Sequence, residues 1–167
     1  MGCLDLEGFS ETAREHALHP RHLGPLVEFT GHARVTGPCG DTMEFWLAIE
    51  DERVKAVSFI TDGCGSSLAC GSMTACLTEG RNIADMLDLR QHDVLDALGG
   101  FPPHYEHCAL LAVTTLKEAC HDHYRRRREP GAEPEKKHAT DDSRGGSTPL
   151  PVIRRQTNRS GNIRRNR

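Results

Sequence analysis

Between Met43 and Thr61 the chain follows a pattern that only a β-hairpin satisfies. Met43, Phe45, Leu47 and Ile49 alternate with Glu44, Trp46, Ala48 and Glu50. This is the two-residue period of a strand with one face on a core and the other toward water. The polar run Asp51-Glu52-Arg53 turns the chain into Val54–Thr61, which is rich in β-branched and aromatic residues. A shorter strand around Ala33–Thr36 pairs on one edge.

After Gly63 the pattern changes to helix. CGSSLACGSMTACLTEG is built of small residues and stops at Gly80, a helix C-cap. Asn82–Leu89, with Asn82 as cap, and Gln91–Leu98 read as short helices. Gly99-Gly100 and Pro102-Pro103 interrupt the chain. A last helix runs from about His104 to Arg128, with Leu110, Val113, Leu116 and Cys120 facing inward. Upstream, Ser10 caps a first helix that reaches Leu18 before Pro20 ends it. Strands grouped first and helices afterwards predict an α+β fold, a small three-stranded antiparallel sheet with helices packed on one face.

The remainder of the 167 residues reads differently. Residues 125–167 hold 13 Lys and Arg against 5 Asp and Glu, whereas residues 1–124 hold 8 against 19. The basic segment has few large apolar residues and many Pro, Gly, Ser and Asn, too little to offset the entropy of ordering. The expected organisation is a flexible N-terminus over 1–8, a folded domain over 9–128 and a disordered basic tail over 129–167. Such a tail either docks on an acidic partner or is simply solvated; it lacks the interleaved aromatics that stack on bases. With the folded part acidic, this argues against nucleic acid as partner. No run approaches the roughly 20 apolar residues of a membrane span. No basic segment followed by an apolar stretch opens the chain, and Leu6 stands where a myristoylation signal has Ser or Thr. The expected location is cytoplasmic, with no membrane partner.

Seven cysteines, an odd number, are not spaced as a secreted disulfide framework. In a reducing compartment they read as metal ligands, reactive thiols or small core residues. Three have special settings. Cys39 lies in the turn Gly37-Pro38-Cys39-Gly40-Asp41, Cys64 in Asp62-Gly63-Cys64-Gly65 between strand and helix, and Cys108 follows His107 near the start of the last helix. Flanking glycines let backbone approach a bound ion, and a helix N-terminus favours the thiolate. Cys70, Cys76 and Cys120 read as small core residues, and Cys3 as unused. If Cys39, Cys64 and Cys108 converge, Asp41 and His107 are the nearest candidates for a fourth ligand. Three thiolates with one weaker ligand suit a site that releases its contents.

Several of these motifs, in this order, resemble the iron–sulfur cluster assembly scaffolds of the IscU and NifU N-terminal family. The family's opening helix and Asn-Pro-Arg-Asn-x-Gly turn are similar to Phe9-Ser10-Glu11…His16 and His19-Pro20-Arg21-His22-Leu23-Gly24. Its Ala-Cys-Gly-Asp turn is similar to Pro38-Cys39-Gly40-Asp41, its Gly-Cys-Gly-Ser to Gly63-Cys64-Gly65-Ser66, and its His-Cys pair to His107-Cys108. The resemblance covers residues 9–124 and implies a protein without turnover of its own. Such scaffolds take sulfur from a cysteine desulfurase and iron from a donor, assemble a labile [2Fe–2S] cluster and pass it to apo iron–sulfur proteins. It implies that Cys39, Cys64 and Cys108 hold the cluster, that Asp41 keeps it exchangeable, and that His107 is an alternative ligand or neighbour. It also implies that Cys108 first accepts persulfide sulfur. Scaffolds of this type can bridge a cluster between subunits, so a homodimer is among the implied states.

The departures matter as well. The family's Leu-Pro-Pro-Val-Lys, read by an Hsp70-type chaperone, is Phe101-Pro102-Pro103-His104-Tyr105 here, keeping the prolines and losing the lysine. An opening tyrosine is Phe9. Residues 125–167 carry no cysteine, so the ferredoxin-like and carrier domains of full-length NifU are not expected there, and the SufU insertion between the second and third cysteines is absent. An alternative on the same fold is Zn²⁺ held by Cys39, Asp41, Cys64 and Cys108 in a sulfur-relay protein. A third reading, a cysteine hydrolase using Cys108, is disfavoured because His107, one residue away on a helix, is expected to point about 100° aside.

Overall fold

The Ser10 side chain organises the first described turn. Its Oγ accepts the Ala13 N–H at 3.0 Å and donates to the Leu98 carbonyl, so one hydroxyl caps a helix and ties it to a distant loop. The computed structural model describes residues 6–128; the expectations for Cys3 and for a disordered basic tail over 129–167 lie outside them. Helix α1 spans Glu11–Leu18, and the sheet is built from β1 Gly31–Thr36, β2 Thr42–Glu50 and β3 Arg53–Thr61. Then come α2 Gly65–Thr78, α3 Ile83–Asp88, α4 Gln91–Ala97, a single 3₁₀ turn Pro103–Tyr105, and α5 Glu106–Arg128.

The sheet is antiparallel in the order β1-β2-β3, with Ala33 opposite Phe45 and Phe45 opposite Phe59. The β2–β3 turn places both Asp51 (φ 50°) and Glu52 (φ 60°) in the left-handed region, the two-residue geometry that matches strand twist. On the inner face Met43, Phe45, Leu47 and Phe59 are fully buried, and the Phe45 and Phe59 rings stack with centroids 5.7 Å apart. Helices α2 and α5 cover this face.

Small residues in α2 have a packing reason. From Gly65 to Ala75 only Leu68 is not buried, so the helix is surrounded rather than amphipathic. A Cβ on Gly71 would lie 2.4 Å from Phe59 Cε2, so glycine there lets the helix backbone rest on the aromatic ring. Inside this helix Ser72 Oγ accepts the Arg21 N–H at 2.8 Å and lies 2.7 Å from Nδ1 of the buried His16. Asn82 caps α3 through the Ala84 N–H, and Asp93 accepts the Arg90 N–H at the start of α4. Gly80, at φ 76°, lies just past the C-cap Glu79 and turns the chain away from α2.

Four expectations are corrected. Trp46 and Glu44, on the face expected to meet water, are 1% and 5% exposed. His32 accounts for part of this, stacking on Trp46 at 5.2 Å and placing Nε2 2.7 Å from Glu44 Oε1. Leu110, expected inward, is 51% exposed. The buried stripe of α5 runs through Cys108, Leu111, Ala112, Thr115, Leu116, Ala119, Cys120 and His123, and Leu110 falls about 200° from Cys108 around the axis. The last helix starts at Glu106 rather than His104, because the two prolines set a 3₁₀ turn first. Cys76 is only half-buried and reaches the Arg21 guanidinium, whereas Cys70 and Cys120 are in the core.

Candidate functional site

Three chain segments meet at one end of the sheet. The β1–β2 turn is closed by Gly37 N–H to Asp41 O at 2.8 Å and Gly40 N–H to Gly37 O at 3.0 Å. This leaves Cys39 exposed at the tip and turns the Asp41 carboxylate back toward α2. Cys64 is the N-cap residue of α2 and is exposed, with Sγ 2.8 Å from Ser66 Oγ. Cys108, in the first turn of α5, is 1% exposed. The 3₁₀ turn before it is held by an aromatic cluster in which Phe9 stacks on Phe101 at 4.7 Å and meets Tyr105 edge-on at 5.6 Å.

Two buried hydroxyls join these segments. Ser67 Oγ donates to Asp41 Oδ2 at 2.7 Å and lies 3.5 Å from Cys108 Sγ. Ser66 Oγ is 3.5 Å from Cys108 Sγ and contacts Cys64 on its other side. The serines therefore link Asp41, Cys108 and Cys64 into one network. Gly63 makes room for it: a Cβ there would lie 2.4 Å from Ser67 Oγ and 2.5 Å from Asp41 Oδ2. Cys39 joins at the margin, its Sγ 3.6 Å from where a Gly37 Cβ would stand, a point 3.4 Å from Leu111 Cδ2 on α5.

His107 requires a correction. One helical step does separate it from Cys108, but its imidazole is long enough to bring Nε2 within 3.6 Å of Cys108 Sγ. Burial pushes the Cys108 thiol above its ordinary value, the Ser66 and Ser67 hydrogen bonds pull it down, and the charges of Cys64 and Asp41 push it up again. Cys70, one turn further along α2, is pushed well up by burial and then by the charges of Cys108 and Cys64. Among the described residues, no three His, Cys, Asp or Glu side chains already surround a single point as metal ligands. Cys39 and Cys64 are exposed and Cys108 is buried. As a donor set, three thiols with a carboxylate and an imidazole suit iron or zinc.

The sequence motifs located the two cysteine turns and the His-Cys pair but passed over Ser67. The signal available was position alone: Ser66 and Ser67 occupy the first turn of the helix that Cys64 caps, beside whatever Cys64 faces.

Comparison with known proteins decides the relationship. The NifU-like N terminal domain family matches residues 9–130. The chain belongs to this family. Among its relatives is a protein of Archaeoglobus fulgidus named iron-sulfur cluster assembly scaffold protein IscU 1, 32% identical over 119 residues, covering 71% of this chain and 78% of that one. Another is the iron-sulfur cluster assembly scaffold protein IscU of Aquifex aeolicus, 36% identical over 118 residues, 69% of this chain and 75% of the other. The NifU-like N-terminal fold also recurs in solved structures. That of a nitrogen-fixing NifU-like protein from Brucella abortus covers 70% of this chain and 94% of its own, with TM-score 0.56 and 18% identity. That of a SUF-system scaffold from Fervidobacterium islandicum gives TM-score 0.58 at 15% identity over 70% and 98% of the two chains. Likeness at these identities shows a shared fold. No described helix is long and apolar enough to cross a membrane.

Proposed function

We propose that this protein is a scaffold on which a [2Fe–2S] cluster is built from iron and from sulfur supplied by a cysteine desulfurase, then handed to apo iron–sulfur proteins. The functional unit is residues 9–128, and the cluster is cargo rather than a resident cofactor. The observation that carries the reading is the serine-bridged meeting of Asp41, Cys64 and Cys108 from three separate elements, with Cys39 on the adjoining turn. The names of the scaffold relatives supply the kind of cargo.

In this reading Cys39, Cys64 and Cys108 ligate the cargo, and Asp41 is the oxygen ligand that keeps it exchangeable. Cys108 receives the sulfur. Its thiolate attacks the outer sulfur of the desulfurase persulfide, an S–S bond forms on Cys108 as the donor's S–S bond breaks, and the desulfurase cysteine leaves as thiolate. Because burial favours the protonated thiol, a proton must leave first, and His107 Nε2 at 3.6 Å is a base within reach. Turning that persulfide into sulfide takes two electrons from an external reductant. Ser66 and Ser67 hold the carboxylate and thiols in register and shield Cys108 from water. The loss of the lysine after Pro102-Pro103 removes one contact an Hsp70-type chaperone would use, so delivery is expected to be less chaperone-dependent.

The test is anaerobic reconstitution with iron, cysteine and a desulfurase, followed by visible absorption and assays of iron, sulfide and zinc. A brown protein with matched iron and labile sulfide, lost when Cys39, Cys64 or Cys108 is changed to Ala, is expected. A colourless chain with one tight zinc on the same residues would replace the scaffold by a sulfur-relay protein. Asp41→Ala should slow cluster transfer to an apo-ferredoxin, and unaltered kinetics would remove Asp41 from the exchange step.

A further inference from the structure

The two oxygens of the Asp41 carboxylate have different surroundings. Oδ2 accepts the Ser67 hydroxyl at 2.7 Å, whereas Oδ1 has no hydrogen-bond partner among the described residues. Ser67 is fully buried in the first turn of α2, so water does not compete for its proton. Its Oγ also lies 3.5 Å from Cys108 Sγ. A hydroxyl has one proton to give, and a charged oxygen at 2.7 Å binds it more strongly than a thiol at 3.5 Å. The proton therefore belongs to Asp41, and Cys108 can only donate toward Ser67.

Backbone closes another side of Oδ2. A Cβ on Gly63 would lie 2.5 Å from Oδ2 and 2.6 Å from Ser67 Cβ, so the carboxylate oxygen and the serine rest together on the Gly63 backbone with no space between them. Asp41 as a whole is only half-buried, which leaves Oδ1 as the accessible oxygen. A carboxylate with two equivalent oxygens can chelate one ion with both, as it does around large hard cations. One whose second oxygen is already engaged offers a single donor. That is the number that completes three thiolates to a tetrahedral set.

We propose that Ser67 is a positioning residue that restricts Asp41 to ligation through Oδ1 alone. It thereby sets the four-coordinate preference of the site and keeps its oxygen ligand easy to displace. A single oxygen leaves by breaking one bond, a chelating pair by breaking two. Ser67 touches no cargo and acts only through Asp41, as partners of metal-binding carboxylates do when they orient a ligand and tune its hold. The inference rests on the reading of Cys39, Asp41, Cys64 and Cys108 as ligands, and it applies to iron–sulfur cargo and to zinc alike.

Co²⁺ is the probe, because its d–d bands report coordination number while its thiolate charge-transfer bands report sulfur ligation separately. The reduced, metal-free full chain is titrated with Co²⁺ without oxygen as the parent, Ser67→Ala, Asp41→Ala and the double variant. The parent should show thiolate charge-transfer bands and the intense d–d bands of a tetrahedral ion. Ser67→Ala should keep the charge-transfer bands, which shows that the cysteines still assemble, while its d–d bands weaken several-fold as Oδ2 joins Oδ1 and the ion becomes five-coordinate. On the Asp41→Ala background the serine change should alter neither set of bands, since no carboxylate is left to redirect. Equal d–d intensity in the parent and Ser67→Ala would overturn the proposal. So would an effect of Ser67→Ala that persists without Asp41, because it would make the serine merely structural. A parent without charge-transfer bands would overturn the ligand reading itself and this proposal with it, so the two failures are told apart.

Discussion

Removing the Ser67 hydroxyl tests the bridge that assembles the candidate site. Ser67 is fully buried, and its Oγ donates to Asp41 Oδ2 at 2.7 Å. A hydrogen bond to an ionised carboxylate is worth about 1.5–3 kcal/mol. Asp41 is only half-buried, so water can take over part of the contact, which puts Ser67→Ala near 1.5 kcal/mol. The contact with Cys108 Sγ at 3.5 Å adds little. Asp41→Ala alone leaves the buried hydroxyl without its acceptor, for about 1–2 kcal/mol. When both are replaced neither penalty is doubled, so the double variant should cost less than the sum by about 1–1.5 kcal/mol. The rest of the turn stays anchored by Gly37 N–H to Asp41 O and by Thr42 N–H to Asp62 Oδ1 at 2.6 Å, so the variants should fold. Urea unfolding of the metal-free, reduced protein measures all four corners of the cycle. Effects additive to within about 0.3 kcal/mol would show that Ser67 and Asp41 are neighbours without an energetic bond.

Stability should fall with acidity in a defined window. Burial and then Arg21 hold His16 below the ordinary histidine value, and burial and then Arg127 do the same for His123. The unfolded chain therefore takes up protons near pH 6.5 while the folded chain does not, so the urea midpoint should decline from about pH 6.5 downward; a flat midpoint to pH 5 would contradict this. Asp51→Gly should raise unfolding stability by about 0.5–1 kcal/mol, because φ 50° costs an L-residue and not glycine; an unchanged or lower value would show that the turn is not strained. Gly71→Ala should lower the melting temperature despite alanine's better helix propensity, because its Cβ would lie 2.4 Å from Phe59; overpacking there costs about 1–3 kcal/mol. Leu111→Ala should cost about 2–3 kcal/mol and Leu110→Ala under about 0.5, and similar losses at both would contradict the observed burial.

Legibility in the sequence followed the range of the interaction. The Asp51-Glu52 turn, the two long strands and the Ser10 and Asn82 caps depend on residues within a few positions, and each could be read directly. The start of α5 could not be placed as well, because Pro102 and Pro103 allow either a helix or the 3₁₀ turn that forms. For the candidate site, local glycine-flanked settings marked Cys39 and Cys64, and adjacency marked His107-Cys108. The reach of His107 was misjudged, because the helical angle between two residues says little about where a long ring ends.

What the sequence determined alone was therefore periodic and local: the strand period of two, the helical stretches, the turns, and which cysteines sit beside glycine or histidine. Tertiary structure decided which side of each element is covered and which side chains touch. Trp46 is buried in part because β1 brings His32 over it, and Leu110 is exposed because α5 presents the Cys108 side to the sheet and α2. Ser67 gains its role only when Asp41, 26 residues before it, and Cys108, 41 residues after it, are brought to its hydroxyl. A contact between residues so far apart along the chain exists only once the layers have packed, and no periodicity encodes it.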